Sequence, residues 1–175
     1  KWDYEFDVVV IGSGNGALTS AICSHDGGAK TLVIEKSTQF GGTSATSGGG
    51  VWIPNNRYAL AENVDDSDQD ARDYINSVSP EGKIKDELVE TYLSEGPKMI
   101  DYLHENSQVK YRNLSHYPDY FPDNPGGKAG NRSMEPEPIK GTELGDDLGK
   151  LREQHPQTAF TMGPINMNFT QVEGQ

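Results

Sequence analysis

Two glycine-rich turns, Gly12-Ser13-Gly14-Asn15-Gly16-Ala17 and Gly41-Gly42-Thr43-Ser44-Ala45-Thr46-Ser47-Gly48-Gly49-Gly50, flank the acidic Glu35 near the start of the chain. One such turn can cradle a single phosphate. Two in succession around an acid fit a long dinucleotide, gripped from its adenosine end towards its reactive ring. That constrains the fold more than any other feature of the chain, because the turns work only where a strand ends and a helix begins.

The flanking residues supply those elements. Asp7-Val8-Val9-Val10-Ile11 is a short β-branched run that reads as a parallel strand covered on both faces. Gly12 permits the tight turn, Gly14 lets backbone approach a pyrophosphate, and Ala17 lets helix and strand pack closely. The helix is expected to run from about Gly14 to the Gly27-Gly28 stop, with Ala17/Ala21 and Leu18/Ile22 on the sheet and its N-terminal N–H groups facing the phosphates. Cys23 is expected to pack on this helix as a small hydrophobe. Thr31-Leu32-Val33-Ile34 is the second strand. Glu35 ends it 23 positions after Gly12 (35 − 12), near the spacing at which an acid accepts hydrogen bonds from an adenosine ribose. An acid here, rather than a small residue with a nearby Arg, disfavours a 2′-phosphate, so NADP is not the expected ligand.

Simple NAD domains need nothing like the second glycine cluster. Gly42, Thr43 and Ser44 offer N–H and hydroxyl donors to a pyrophosphate and ribityl chain, while Gly48, Gly49 and Gly50 leave room for backbone to pass against a flat ring. A mobile Gly/Ser linker is the alternative, although Val51-Trp52-Ile53-Pro54 is a costly apolar group for a linker to leave in water. Val10-Ile11-Gly12-Ser13-Gly14, Ile34-Glu35-Lys36, Phe40-Gly41-Gly42-Thr43-Ser44-Ala45 and Ser47-Gly48-Gly49-Gly50-Val51-Trp52-Ile53-Pro54 together resemble the FAD domain of 3-ketosteroid Δ1-dehydrogenases, within the wider fumarate reductase flavoprotein group. The likeness is dense over the first 55 or so residues and resumes at Tyr117-Pro118-Asp119-Tyr120.

The resemblance implies a doubly wound, Rossmann-like α/β FAD-binding domain, of which this chain is the N-terminal portion, completed by segments lying elsewhere. The expected division is a cofactor domain over 1–121 and an extended Pro/Gly-rich segment over 122–175. FAD is the implied cofactor, held by Gly12, Gly14, Asn15, Gly16, Ala17, Glu35, Lys36, Gly42, Thr43, Ser44, Ser47, Gly48, Gly49 and Gly50. Also implied are a 3-oxosteroid substrate dehydrogenated at C1–C2, an external electron acceptor, and the rest of the enzyme as further chain or partner. By the same resemblance Tyr120 corresponds to an active-site tyrosine that hydrogen-bonds a catalytic tyrosine from the missing capping domain, and Tyr117 lines the substrate pocket beside it. Read from residues alone, Tyr111–Phe121 could equally be an aromatic hairpin edge. A fumarate-type reductase, a 4-ene-forming steroid dehydrogenase and a non-catalytic FAD-binding subunit stay open.

Charge and the remaining motifs narrow the classes. A net charge of −12 with no Lys/Arg-rich face argues against nucleic-acid binding. No run is long and apolar enough to span a membrane, which with the absence of a leader suggests a cytoplasmic protein, associated with membranes only through parts not present. Asp65-Asp66-Ser67-Asp68 lacks the glycine and glutamate of a calcium loop and reads as a helix cap, before a helix with Ala71, Tyr74, Ile75 and Val78 on one face. Ile84, Leu88 and Tyr92 mark a second helix, and Pro97 begins a third with Ile100 and Leu103. From Pro122 onwards the economical reading is extended loop. No metal is expected, since His25, His104, His116 and His155 show no ligand spacing, and the Asn113, Asn131 and Asn168 glycosylation triplets are expected to be accidental.

Overall fold

The computed structural model describes residues 1–80 and 83–153. His155 and the triplet at Asn168 therefore lie outside the described residues. The chain groups into two compact units, one formed by Lys1–Gly49 together with 138–153 and the other by Gly50–Glu137.

The first unit is built on β1 (Val8–Ile11), α1 (Asn15–Asp26) and β2 (Thr31–Ile34). The strands are parallel, with Val10 opposite Val33 and Ile11 opposite Ile34, and α1 crosses between them in the expected β-α-β order. Only one face of this pair is covered. Val10 is buried, but Val9 and Ile11 are 51% and 81% exposed, so the strand expected to be covered on both sides has a bare face. Leu18 is exposed on α1, and so is Cys23, which does not pack as a small hydrophobe. Ala17, Ala21 and Ile22 are the helix positions that turn towards the strands. After β2 the chain forms a single helical turn at Ser44–Thr46. It returns as helical turns over Gly141–Lys150, kinked at Gly145, and Leu151 then pairs alongside Phe40.

The second unit holds a three-stranded antiparallel sheet in the order β3-β5-β4, formed by β3 (Val51–Trp52), β4 (Tyr111–Asn113) and β5 (Ser133–Pro136), with helices α2 (Arg57–Ala61), α3 (Asp68–Val78) and α4 (Asp86–Asn106). The segment expected to be extended loop thus contains the central strand. Met134 and Glu135 of β5 are both fully buried, which hides the polar/apolar alternation that would mark a strand in the sequence. Tyr111–Phe121 is likewise no hairpin: β4 pairs with β5, and 117–121 is a loop.

The two expected helices around Pro97 are one. α4 runs 21 residues with Pro97 inside it. An interior proline costs about 3 kcal/mol. Val89, Leu93, Ile100 and Leu103 offset that by burying their side chains, at roughly 1.5–3 kcal/mol apiece. Gly96 lets the helix lie against Ile53, since a Cβ there would sit 3.2 Å from Ile53 Cδ1. Ile100 and Leu103 are buried as expected, but in the first half Val89 and Leu93 are buried in place of Ile84, Leu88 and Tyr92, which stay exposed. α3 lies where expected: Ser67 caps it by accepting a hydrogen bond from the Asp70 N–H at 3.0 Å, and Ala71 and Tyr74 are buried, although Val78, expected on the same face, is exposed.

Polar groups hold this unit together as much as apolar ones do. Arg132, 1% exposed, pairs with Asp66 at 2.6 Å and Asp119 at 2.9 Å, and its guanidinium lies 5.5 Å from the Trp52 ring and 5.8 Å from that of Tyr74. Trp52 Nε1 donates to the other Asp119 oxygen at 2.6 Å. The Lys128 N–H donates to Asp119 as well. Gly126, at φ +73°, allows the following loop onto α3, where any Cβ would collide with the Asp70 carbonyl at 1.9 Å. Because removing one partner leaves buried charges uncompensated, Arg132→Met is expected to cost about 3–5 kcal/mol of stability. Chemical denaturation measures it, and a loss below about 1 kcal/mol would mean that the carboxylates relax into water.

Candidate functional site

Two concavities carry the chemistry, one in each unit. The first is a cleft of about 790 Å³ lined by Ile11 to Ala17, Ile34 to Ser37, Gln39, Gly42 to Ser44 and Arg152. It therefore brings together Gly12, Gly14, Asn15, Gly16, Ala17, Glu35, Lys36, Gly42, Thr43 and Ser44 as the sequence expects.

Its floor is bare backbone. Gly12 turns at φ +97°, and a Cβ at Gly12 or Gly16 would meet nothing within 4 Å, so the chain there faces open space. Gly14 precedes α1 with no side-chain cap, which leaves the positive end of the helix towards the cleft. Of its first N–H groups, Asn15 donates to Ser44 Oγ at 2.9 Å. The two glycine turns touch: a Cβ on Gly42, at φ +55°, would sit 3.5 Å from Gly14 Cα.

Glu35 stands at the end of β2 with both oxygens engaged. Oε2 accepts from the Ser13 hydroxyl at 2.5 Å, and Oε1 accepts from the Ser37 N–H at 3.0 Å. The Ser13 hydroxyl first, and then the Ser37 N–H, hold the Glu35 carboxyl below its ordinary value. It stays an acceptor for sugar hydroxyls well into acid. A cleft with a helix N-terminus, free backbone donors, and an anionic acceptor one strand away has the donor set that a dinucleotide requires.

Ser47, Gly48 and Gly49 do not line this cleft. Ser47 Oγ instead accepts from the Gly49 N–H at 3.1 Å. Arg152 and Gln39 line it without having been singled out in the sequence. Gln39 belongs to the approach to the second turn. Arg152 is held by the pairing of its segment with Phe40, its N–H donating to the Phe40 carbonyl at 2.9 Å. No local pattern announces a pairing made across more than a hundred residues.

The second concavity, about 350 Å³, is largely apolar and is lined by Gly50, Val51, Trp52, Tyr74, Ile75, Val78, Tyr117 to Phe121 and Ser133. Gly50 thus belongs to this pocket, not to the cleft. Tyr120 is 82% exposed at its edge, and Tyr117 stands on the same wall. Burial first and the neighbouring Tyr120 hydroxyl next push the Tyr117 phenol up. Between them Asp119 points inward to Arg132, so the loop bearing both phenols is tethered at its centre. Among the described residues no group of three or more His, Cys, Asp or Glu side chains is placed to hold a metal ion, and no helix is long and apolar enough to cross a membrane.

Comparison with known proteins bears on both sites. A family model described as an FAD binding domain matches residues 7–169. A 3-oxosteroid 1-dehydrogenase of Mycolicibacterium smegmatis is 36% identical over 168 residues, covering 96% of this chain and 29% of that protein. A 4-oxocyclohexanecarboxylate 2-dehydrogenase of Sinomonas cyclohexanicum is 37% identical over 157 residues, covering 90% of this chain and 27% of that protein. Among solved structures, the 3-ketosteroid Δ1-dehydrogenase of Sterolibacterium denitrificans, in complex with 1,4-androstadiene-3,17-dione, superposes with a TM-score of 0.81 at 37% identity over 91% of this chain and 28% of that one. The chain thus spans under a third of the length of these relatives.

The turn-to-turn contact yields a test. Gly42→Val forces a β-branched side chain into left-handed backbone, and relaxing that turn carries Thr43 and Ser44 away from Gly14. Dinucleotide affinity, measured by titration of the apoprotein, is expected to fall about tenfold or more. Unchanged affinity would show that the second turn takes no part in binding.

Proposed function

Because this chain belongs to the FAD binding domain family, we propose that it is the cofactor-holding portion of a longer flavin-dependent dehydrogenase that forms a C=C bond beside a ring ketone, with a 3-oxosteroid as substrate and C1–C2 as the bond. The observation that carries this reading is the apolar pocket with two phenols, Tyr117 and Tyr120, on its wall. A fused hydrocarbon ring system needs such a pocket, and removing a proton next to a carbonyl needs a path along hydroxyls.

In this reading Glu35 accepts hydrogen bonds from the adenosine ribose. Gly12, Gly14, Asn15, Gly16 and Ala17 present backbone to the pyrophosphate at the start of α1, and Lys36 adds positive charge beside them. Gly42, Thr43 and Ser44 donate along the sugar chain. Ser47, Gly48, Gly49 and Gly50 are assigned to the flavin ring, where side chains would be in the way. FAD, when bound, supplies a hydride acceptor. Tyr120 supports the base that takes the substrate proton, its hydroxyl at the pocket edge passing the proton on. Tyr117 and the Trp52 and Tyr74 rings exclude water from the reacting carbons. Electrons leave to an external acceptor, the rest of the polypeptide or a partner supplies the base and the carbonyl-polarising donors, and the enzyme works in the cytoplasm.

The likeness to 4-oxocyclohexanecarboxylate 2-dehydrogenase favours a second reading, the same reaction on a single-ring ketone. Turnover of a 3-oxo-4-ene steroid against 4-oxocyclohexanecarboxylate with an artificial acceptor separates the two. The steroid is expected to be the faster by k_cat/K_M, and the reverse order would move the assignment to the monocyclic ketone. In the whole protein Tyr120→Phe is expected to keep its flavin and lose roughly 10²–10⁴-fold in turnover, with a smaller change in substrate affinity. A rate within about twofold of the parent would reduce Tyr120 to packing. Glu35→Ala is expected to weaken FAD retention about tenfold or more, read from flavin content after gel filtration, and full content would remove Glu35 from the site.

A further inference from the structure

Ser13 occupies the middle of the first glycine turn, where the turn itself asks only for a small residue. It is 3% exposed, and its hydroxyl has two partners far away in sequence. It donates to Glu35 Oε2 at 2.5 Å and accepts from the Gly41 N–H at 2.9 Å. One side chain thereby connects the end of β2, the first turn and the start of the second. Gly41 stands at φ +104° with its backbone buried, so its N–H cannot turn to water without undoing the segment. Removing the hydroxyl would strand that N–H and leave Glu35 with backbone donors alone, the Ser37 N–H foremost.

We propose that Ser13 is a positioning residue which aims Glu35 and fixes the second glycine turn before the cofactor arrives. This rests on the reading of the cleft as an FAD site. Ser13 does not hold the ligand; it sets the acceptor that does. With one hydroxyl satisfying both neighbours, the two ends of the dinucleotide site cannot drift independently, and less ordering remains to be done on binding.

The proposal predicts a pH signature. The Ser13 hydroxyl is the foremost influence favouring the charged Glu35 carboxylate. Losing it moves protonation of Glu35, and with it the acid loss of FAD affinity, to higher pH. Lys36 and Arg152 are the other charged groups on the cleft. Titration of the ligand's own adenine is common to every variant.

The experiment uses apoprotein of the whole polypeptide and measures FAD dissociation constants by flavin fluorescence from pH 4 to 8, for the parent, Ser13→Ala, Ser13→Thr and Glu35→Gln. Ser13→Ala is expected to bind about tenfold more weakly at pH 7 and to lose affinity at higher pH than the parent. Ser13→Thr is expected to restore both, and Glu35→Gln to keep only the acid limb that the ligand's adenine contributes. Parent-like binding by Ser13→Ala, or weaker binding with an unmoved acid limb, overturns the positioning role. An acid limb in Glu35→Gln identical to the parent's overturns it too, whether or not Ser13→Ala folds. A parent that binds no FAD overturns the cofactor reading and the proposal together, whereas failure of Ser13 alone leaves the cofactor reading intact.

Discussion

A backbone turn at positive φ favours glycine, and the first unit is arranged around one such turn, Gly42 at φ +55°, which brings the second glycine cluster up to Gly14. The contact lets Ser44 reach the start of α1 and lets the Gly41 N–H reach Ser13. Because α1 then needs no side-chain cap of its own, its open end remains directed at the cleft. The same residues that keep the turns together thus leave most of their N–H groups unspent, which is what a polyanionic ligand requires.

The second unit solves the opposite problem, that of a small domain with too little apolar material. Its core clusters are short: Ile53, Ile100 and Met134 in one, Ala71, Val89 and Leu93 in another. Beside them a buried guanidinium pairs with Asp66 and Asp119 and lies close to the Trp52 and Tyr74 rings. An ion pair of this kind contributes little net energy over apolar packing of the same volume, but its geometry is specific. Here it tethers the loop that carries Tyr117 and Tyr120 through Asp119.

Features governed by local rules were legible in the sequence. β1, α1 and β2, the Ser67 cap, and the ten cleft residues from Gly12 to Ser44 all follow from glycines, caps and spacing within a few residues. What escaped depends on distant partners. Pro97 reads as a helix start until the packing of Gly96 on Ile53 keeps α4 continuous through it. Ser133–Pro136 reads as loop because Glu135 is buried, and its burial makes sense only with Arg112 beside it. Asp119 reads as part of an aromatic motif, with nothing local to reveal that Arg132 holds it. Ser13 reads as filler between glycines. The exposed Val9 and Ile11 mark where a rule of composition, that apolar β-branched runs are covered on both sides, reaches beyond the described residues.

The antiparallel pairing of β3 with β5 sets Val51 opposite Met134 and Trp52 opposite Ser133, close to the points where the chain enters and leaves the second unit. Its two ends are therefore neighbours, as in a cassette spliced into a host. Meanwhile Phe40 and Leu151 of the host rejoin once the cassette is complete. A module with adjoining ends can be lengthened, recoloured or exchanged with little loop-closure penalty to the scaffold carrying it.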